Sequence, residues 1–340
     1  MEIEMESPRT PHSATGSANP VPAERLPLIT SIFAADPSAH VFDGRIYIYP
    51  SHDIPSDAPS DDTGDQYDMR DYHVFSLDGF GSPAVDHGVA LEIGGVPWAS
   101  KAMWAPDASR KGGRYFLYFP AKDREGIFRI GVATGSSPEG PFAAESEPIV
   151  GSFSVDPAVF VDDDGSAYMY FGGLWGGQLQ RWQGGAYDSE RAEPSGDSPA
   201  LGPRVARLSP DMLGFEGPVR EAAILGEGGR PLAAREKDKR FFEASWMHKR
   251  EGKYYLSYST GDTHFLACAV GSSPLGPFEY RGRILSPVLG WTTHHSIVDF
   301  QGRWYIFYHD ASLSGRDNLR TVKYQELRYD AMGDIVPMDP

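Results

Sequence analysis

The sequence predicts an all-β fold, a five-bladed β-propeller, and three observations support this prediction. The chain of 340 residues repeats one pattern five times, a glycine turn followed by alternating aromatic and aliphatic residues. A short apolar run precedes each turn, so each copy should form a strand, a turn and a second strand. Outside the N-terminal tail, the sequence has no convincing helical periodicity.

The five predicted hairpins share a glycine that can adopt the positive φ of a tight turn. The turn-led segments are DGRIYIYPSHD from Asp43, GGRYFLYFPA from Gly112, DGSAYMYFGG from Asp164, EGKYYLSYST from Glu251 and QGRWYIFYHD from Gln301. The preceding runs are SAHVF, PDASR, PAVFV, SWMHK and HSIVDF, of which PDASR is the weakest. Alternating aromatic residues are typical of a half-buried strand.

The spacing of the hairpins indicates how many strands each unit contains. The turn glycines Gly44, Gly113, Gly165, Gly252 and Gly302 are 69, 52, 87 and 50 residues apart. Two of these intervals are close to the roughly 40 to 50 residues of a four-stranded propeller blade. The related segments GSSPEGPF at 135–142 and GSSPLGPF at 271–278 contain Pro-Gly turns, which should precede outer strands.

The longest interval predicts an insertion over about 174–240, whose beginning is rich in glycine and whose middle is polar. We expect it to form a loop with some strand character at a rim of the propeller. Residues 1–27 are rich in Pro, Ser, Glu and Thr, and are predicted to be a disordered tail before a single domain at 28–340. The tail lacks an apolar run long enough for a signal peptide, which predicts a cytoplasmic protein.

Charge and cysteine content exclude several classes of function. The 47 acidic and 31 basic residues give a formal net charge of -16, which argues against nucleic-acid and membrane partners. The single cysteine, Cys268 in HFLACAV, allows no intrachain disulfide and no thiolate metal cluster, and is predicted to be a buried structural thiol. Neutral partners remain possible, and the oligomeric state is not predicted.

Five chemically active residues occupy equivalent positions, eight or nine residues before the turn glycines: Asp36, Trp104, Asp156, Glu243 and His294. Equivalent positions on the innermost strands of a propeller surround one axis, so these residues should converge. Bringing three carboxylates together in a partly dry site costs free energy and shifts their pKa values. Their shared offset therefore indicates a functional site.

Each of these residues also has a structural interpretation when it is considered alone. An Asp before Pro, as at Asp36 and Asp156, is commonly a turn residue. Trp104 alone would more often belong to a core, and His294 with His295 would more often be a packing pair. Glu243, within FFEASWMHK, has no obvious turn or capping role. The common offset favours a site over five independent structural roles.

Two carboxylates beside a sugar are what the cleavage of a glycosidic bond requires. One protonates the departing oxygen, while the other activates water or attacks the anomeric carbon. The acid must keep its proton near neutral pH, which requires apolar surroundings, a neighbouring carboxylate or both. Glu243 has aromatic neighbours in its own sequence, and the Trp104 indole offers a surface on which a sugar can stack.

At these residues the sequence resembles glycoside hydrolase family 43, five-bladed propellers that cleave arabinofuranosides and xylosides with inversion. The resemblance runs from about Leu28 to the end of the chain. The motifs that carry it are ITSIFAADPSAHVF, MWAPD, FSVDPAVFVDDDG, FFEASWMHK, TTHHSIV and YHDASLSGRDNLRTVKYQELRY.

The resemblance implies a role for each axial residue. Asp36 would be the general base and Glu243 the general acid, while Asp156 would raise the pKa of the acid and orient it. Trp104 would be the aromatic residue of the active site. An arginine near the C-terminus would face the sugar, and Arg320 is the expected match rather than Arg316.

The resemblance also implies a possible metal ion but no required cofactor. His294 would match an axial histidine that often holds a calcium ion or its water shell beneath the sugar, and His295 is the alternative match. Because calcium prefers oxygen ligands, its other ligands would be mostly waters. The DDDG segment at 162–165 is predicted to be a hairpin turn and not a calcium loop.

The resemblance implies an exo-acting hydrolase that releases terminal α-L-arabinofuranosyl or β-D-xylosyl residues from plant-derived, neutral oligosaccharides. An endo-arabinanase with the same three carboxylates is the nearest alternative, although an insertion closing one side favours a pocket over an open cleft. Retaining fructan-cleaving propellers carry an Arg-Asp-Pro motif that this sequence lacks. A non-catalytic sugar-binding propeller is the alternative from another class, but lectins repeat the same binding residues in every blade.

Overall fold

A computed structural model describes residues 25–340 of the chain. The predicted tail at 1–27 lies outside the described residues except for its last three positions. Five sheets form the five blades of a β-propeller, as predicted. The helical segments within residues 25–340 that have defined bounds are three-residue 3₁₀ turns at Ile93–Gly95, Trp175–Gly177, Leu179–Arg181 and Glu227–Gly229.

The strands follow one another blade by blade along the chain. Blade 1 contains β1 (Ala34–Phe42), β2 (Arg45–His52), β3 (Asp71–Leu77) and β4 (Val85–Glu92). Blade 2 contains β5 (Asp107–Lys111), β6 (Arg114–Lys122), β7 (Phe128–Gly135) and β8 (Ala143–Ala144). In blade 3, β9 (Ala158–Val161) and β10 (Ala167–Phe171) are followed by a separate hairpin of β11 (Trp182–Gln183) and β12 (Ala186–Tyr187), and then by β13 (Arg204–Arg207) and β14 (Arg220–Glu221). Blade 4 contains β15 (Ile224–Leu225), β16 (Phe241–Arg250), β17 (Lys253–Thr260), β18 (Leu266–Gly271) and β19 (Phe278–Leu285). Blade 5 contains β20 (His295–Phe300), β21 (Arg303–Asp310) and β22 (Thr321–Leu327).

The five predicted hairpins are the first antiparallel pair of each blade, apart from the short β15 at the outer edge of blade 4. In four of them the two turn residues both have positive φ, as at Glu251 (51°) and Gly252 (75°), which suits the right-handed twist of a two-residue hairpin. The turn in blade 3 is longer, and Gly165 there donates its N–H to the Asp162 carbonyl. PDASR, the weakest predicted strand, contributes to β5.

The insertion predicted over 174–240 is shorter in the structure. Strands β13 and β14, within that range, are the third and fourth strands of blade 3, and β15 pairs in parallel with β19 of blade 4. The segment at 172–203, which separates β10 from β13, is the longest connection between blade strands within this range. The sequence does not predict these outer strands, because they are only two to four residues long and partly exposed. Strands this short show no alternation of apolar and polar residues.

The inner strands β1, β5, β9, β16 and β20 contact one another in a closed ring. Residues 28–34 close the propeller, because Leu28 donates its N–H to the Val322 carbonyl and Ala34 donates to the Arg320 carbonyl. Ile29 on this segment is buried beside the core of blade 5. Cys268 is buried in the same core, where burial raises the pKa of its thiol, as expected for a structural cysteine.

Candidate active site

The five axial residues predicted from the sequence line one cavity. Each lies at or just before the start of an inner strand, so all five face the same end of the axis. They are Asp36, Trp104, Asp156, Glu243 and His294, and Arg320 lines the same cavity. The five axial side chains come from five different blades and meet in this one cavity.

Irregular backbone turns two of the carboxylates toward the cavity. The pairing of β1 with β2 shifts register between Ala35 and Ser38, and Asp36 there has a positive φ of 50°. The pairing of β16 with β17 shifts on both sides of Glu243, and Ala244 has a φ of 60°. Left-handed conformations cost non-glycine residues free energy, and such strain often accompanies functional sites.

Asp36 lies in a network of fixed donors. Arg320 donates from Nη1 to Asp36 Oδ1 at 3.1 Å, and Ser51 Oγ donates to Asp36 Oδ2 at 2.5 Å. Arg320 also binds Asp53 through Nε and Nη2 at 2.9 and 2.7 Å, so one guanidinium holds two buried carboxylates. Burial alone would raise the pKa of Asp36, but the positive charge of Arg320 outweighs it and holds the pKa well below its ordinary value. Asp36 therefore stays ionised, as a base must.

His309 supports the backbone of Asp36. The Asp36 N–H donates to His309 Nδ1 at 2.9 Å, which leaves the ring proton on Nε2. His309 Nε2 lies 3.1 Å from the Thr292 carbonyl, to which it can donate. This pair of bonds fixes the orientation of the His309 ring and holds Asp36 in its left-handed conformation.

Asp156 and Glu243 form a coupled pair of carboxyl groups, of which Asp156 is buried and Glu243 is half-buried. Burial and then the negative charge of Asp36 raise the pKa of Asp156 to about 8. Burial and then the charges of Asp156 and Asp36 raise the pKa of Glu243 well above its ordinary value. At neutral pH the pair therefore holds a proton, while Asp36 in the same cavity holds none.

Hydrogen bonding indicates which member of the pair keeps the proton. Asp156 Oδ2 accepts the N–H of Ala244 at 2.9 Å, which stabilises an ionised Asp156. Within residues 25–340, no protein donor has a hydrogen bond to the Glu243 carboxyl group, so nothing stabilises its ionised form in the same way. The proton therefore favours Glu243. The bond to Ala244 also ties Asp156 to the residue that follows Glu243.

Trp104 forms part of the cavity wall in a fixed orientation. Its indole Nε1–H donates to the Tyr67 carbonyl at 3.1 Å, and its ring packs against Phe128 with the centroids 4.7 Å apart. Lys122, whose Nζ lies 5.8 Å from the indole centroid, covers another side of it. A rigid indole at the cavity wall is suited to stacking against a sugar ring.

The glycine-rich start of the inserted segment fits closely against the catalytic residues. A Cβ added at Gly173 would lie 3.3 Å from Glu243 Cβ, and one at Gly176 would lie 3.3 Å from Trp104 Cη2. A Cβ at Gly177 would lie 2.8 Å from Val155 Cγ2. The glycines of GGLWGG therefore allow the segment to approach the axis and close one side of the cavity.

The histidines separate into cavity residues and packing residues. His294 lines the cavity with Nδ1 3.7 Å from Asp36 Oδ1, and burial lowers the pKa of His294 to about 4, so it is neutral. His295 is fully buried, and its Nε2 bonds with Ser257 Oγ at 2.6 Å behind the ring. His264 packs against Trp291 and does not line the cavity.

Sequence reasoning missed several residues of the site. Asp53 and His309 hold Arg320 and Asp36, and both lie at the ends of predicted turn-led segments, where nothing marked them as functional. Tyr67, Trp175 and Trp291 line the cavity from loops, and Trp291 is 42% exposed at the rim. The GGLWGG run was a usable signal for Trp175, because clustered glycines allow close approach of the backbone. Arg316, the alternative to Arg320, is exposed and lies outside the cavity.

The chemistry that this arrangement supports is acid–base catalysis by carboxyl groups, which needs no catalytic cofactor. One carboxylate is held ionised by an arginine, and a second carboxyl group keeps a proton beside it.

Across residues 25–340, no helix has the length and apolar character needed to cross a membrane.

Comparison with known proteins agrees with this chemistry. The family model for glycosyl hydrolases family 43 matches residues 86–335. A xylosidase/arabinosidase from Humicola insolens is 64% identical over 324 residues, which cover 92% of this chain and 99% of that protein.

Solved structures match the fold closely. A β-xylosidase/α-arabinofuranosidase of the same family from a compost microbial metagenome, in complex with xylotriose in a calcium-free form, is 58% identical with a TM-score of 0.92. The match covers 94% of this chain and 98% of that one. An enzyme from Xanthomonas citri complexed with xylotriose is 53% identical with a TM-score of 0.89, and the match covers 93% and 94% of the two chains. This chain is therefore an O-glycosyl hydrolase and belongs to glycoside hydrolase family 43.

Proposed function

We propose that the protein is an inverting, exo-acting hydrolase that releases terminal β-D-xylosyl or α-L-arabinofuranosyl residues from neutral oligosaccharides. The observation that carries the proposal is a cavity in which Asp36 is held ionised while the Asp156–Glu243 pair retains a proton. Relatives named for xylosidase and arabinosidase activity, and solved relatives with bound xylotriose, support this substrate class.

Each carboxyl group has one part in the proposed reaction. Asp36 accepts a proton from a water that attacks the anomeric carbon, while Glu243 donates its proton to the departing glycosidic oxygen. The negative charge of Asp156 keeps the pKa of Glu243 high. By accepting the N–H of Ala244, Asp156 also holds the backbone beside Glu243 in place. Trp104 provides the stacking surface, and Arg320 stabilises the ionised base and faces the sugar.

The proposed reaction is tested on aryl β-D-xylosides and aryl α-L-arabinofuranosides. Wild type should hydrolyse at least one of them, whereas Glu243→Gln and Asp36→Asn should be severely impaired. The absence of turnover by wild type on both substrates would contradict the proposal. The ratio of the two wild-type rates decides between xylose and arabinose preference.

A pocket covered on one side by the inserted segment favours exo over endo action. Residues 174–177 of the inserted segment line one side of it, and Trp291 stands at the rim. An endo-arabinanase would need a cleft open at both ends to accept an internal sugar. A non-catalytic sugar-binding propeller would not require a protonated acid beside an ionised base, since binding alone does not repay the cost of burying three carboxyl groups.

We further propose that His294 is the protein contact of any calcium ion at the axis. His294 lines the cavity close to Asp36, and its imidazole is neutral. Because a single imidazole satisfies little of the coordination that calcium prefers, such an ion would keep most of its water shell. Its charge would support the ionised form of Asp36. Calcium titration of wild type and His294→Ala, monitored by calorimetry, tests this contact.

A further inference from the structure

A second cluster of metal-binding side chains lies on blade 1, away from the residues that line the cavity. His52 is the last residue of β2, while Asp71 and His73 lie at the start of β3. One ligand atom from each residue lies within 4.8 Å of the others. It is the only group of three or more such side chains at this spacing within residues 25–340.

The distances in this cluster are close to those of a metal site. His52 Nδ1 lies 2.7 Å from Asp71 Oδ1, and His73 Nε2 lies 3.8 Å from the same oxygen. Ligands about 2.0 to 2.1 Å from a tetrahedral zinc ion lie roughly 3.3 Å from one another, which is between these two distances. The ligand atoms of the two imidazoles also lie within 4.8 Å of each other, so small side-chain movements would place all three ligand atoms around one ion.

A fourth residue independently orients one of the ligands. The Asp86 carboxylate lies 3.0 and 3.2 Å from His73 Nδ1, and an ionised carboxylate can only accept a hydrogen bond. His73 Nδ1 therefore carries the proton, which leaves the lone pair of Nε2 free on the side that faces Asp71. A carboxylate that holds the far nitrogen of a histidine is typical of the outer shell of zinc sites.

The position of the cluster gives a bound ion a structural consequence. Residues 53–70, the pocket loop, connect β2 to β3 and contribute Tyr67 and Gly64 to the cavity wall. His52 immediately precedes this loop and Asp71 immediately follows it. The first residue of the loop, Asp53, binds Arg320. An ion held by His52 and Asp71 would join the two ends of the pocket loop next to Asp53.

We propose that His52, Asp71 and His73 bind one zinc ion, or a similar divalent transition metal, and that the ion stabilises the base of the pocket loop. Two imidazoles and one carboxylate suit zinc, nickel or copper better than calcium or magnesium, and a water would complete a tetrahedral shell. The side chains are 22%, 20% and 15% exposed, so an ion can enter from solvent while the ligands remain supported. The site is separate from His294 and does not depend on the proposed substrate.

Isothermal titration of zinc chloride into the full-length, chelator-treated protein without a polyhistidine tag tests the site. Wild type should bind one equivalent at this site, and the double variant His52→Ala/His73→Ala should lose it. His87→Ala, which removes an exposed histidine from β4 of the same blade, is the matched control and should bind like wild type. Unchanged binding by the double variant, or no binding by wild type at micromolar zinc, would overturn the proposal.

Two further measurements separate a metal site from a merely structural cluster. Asp86→Asn should lower zinc affinity on the order of tenfold or more at unchanged stoichiometry, because it weakens the acceptor that orients His73. Zinc should also slow amide hydrogen exchange in the pocket loop of wild type, and should leave the double variant unaffected. Zinc binding without any change in loop exchange would overturn the proposed role in stabilising the loop.

Discussion

At the residue scale, one proton distinguishes this cavity from a simple sugar-binding pocket. Burial raises the pKa of both Asp156 and Glu243, whereas Arg320 keeps Asp36 ionised nearby. The hydrogen bond from Ala244 to Asp156 favours placing the proton on Glu243. Acid and base thus differ because their surroundings differ, although all three groups are carboxylic acids.

Replacing Glu243 with glutamine should remove the proton donor without changing the shape of the site. We expect kcat on natural oligosaccharides to fall by about 10²- to 10⁴-fold, and to fall less on aryl glycosides whose leaving groups need little protonation. Steady-state kinetics on both substrate types provides the measurement. Glu147→Gln, the same change at an exposed residue, should have no effect. An equal loss on both substrate types would contradict the role of Glu243 as the acid.

Replacing Asp156 with asparagine should shift the pH dependence of the reaction downward. The basic limb of the pH profile reports loss of the proton from Glu243, whose pKa is raised in part by the charge of Asp156. Removing that charge makes ionisation of Glu243 easier, so its pKa falls and the basic limb moves to lower pH. A kcat/KM profile measured across the pH range tests this. A basic limb that stays in place would refute the role of Asp156.

Replacing Arg320 with lysine should shift the acidic limb of the pH profile. Arg320 holds both Asp36 and Asp53 with a planar fork of donors that a lysine cannot reproduce. The pKa of Asp36 should therefore rise, and because the base must be ionised, the acidic limb should move to higher pH. Arg316→Lys, an exposed and nearby arginine, serves as the control. Identical acidic limbs in the two variants would contradict the assignment.

Much of the site at this scale was predictable because the blades repeat. A constant offset from each turn glycine identified all five axial residues, and Arg320 followed from the family resemblance. Asp53 and His309 were not predictable. Each is a buried polar residue at the end of an aromatic-rich segment, and the partner of each lies more than 250 positions away in the sequence.

At the element scale, loops rather than strands shape the cavity. The ring of inner strands holds the axial residues in place. The pocket loop and the glycine-rich segment at 172–177 form the walls of the cavity. Glycines allow the close approach, while Trp104 lies between the two loops. The sequence predicted the second loop as part of a longer insertion, because the outer strands of blade 3 are too short to show a period of two.

Replacing Gly64 with alanine should disturb the indole without touching the carboxylates. A Cβ at Gly64 would lie 2.3 Å from Trp104 Cη2, so the ring must move. We expect KM to rise by several-fold, with a smaller effect on kcat, because stacking binds the sugar and does not transfer the proton.

Gly44→Ala is the matched control for this change. Gly44 has a similar φ of +80° but no heavy atom within 4 Å of an added Cβ. Both variants should lose about 1 kcal/mol of stability from backbone strain. Equal KM values for the two variants would show that Trp104 does not contribute to binding.

At the scale of the whole molecule, the ring must be closed for the axial residues to meet. Residues 28–34 hydrogen-bond along β22 of the last blade and continue into β1 of the first. Asp36 lies two residues beyond this segment, so closure of the propeller and placement of the base share the same stretch of chain. The five hairpins made the propeller predictable, whereas the closing segment carries no repeat that would identify it.

Removing the closing segment should destabilise the protein more than removing the residues before it. A chain that lacks residues 1–33 loses the hydrogen bonds to β22 and the burial of Ile29, which is 1% exposed. The buried side chain alone stabilises the fold by about 1.5 to 3 kcal/mol. Thermal unfolding should show a lower Tm for this chain than for one that lacks residues 1–24. Equal Tm values would contradict closure by this segment.

The central claim is that water activated by Asp36 attacks the sugar in one step while Glu243 donates its proton. Proton NMR of the first sugar released from an aryl β-D-xyloside, recorded before mutarotation, tests this claim most directly. We expect α-xylose to appear first and the β-anomer to grow in afterwards. Initial release of β-xylose would contradict it, because retention requires a covalent intermediate and a carboxylate acting as nucleophile.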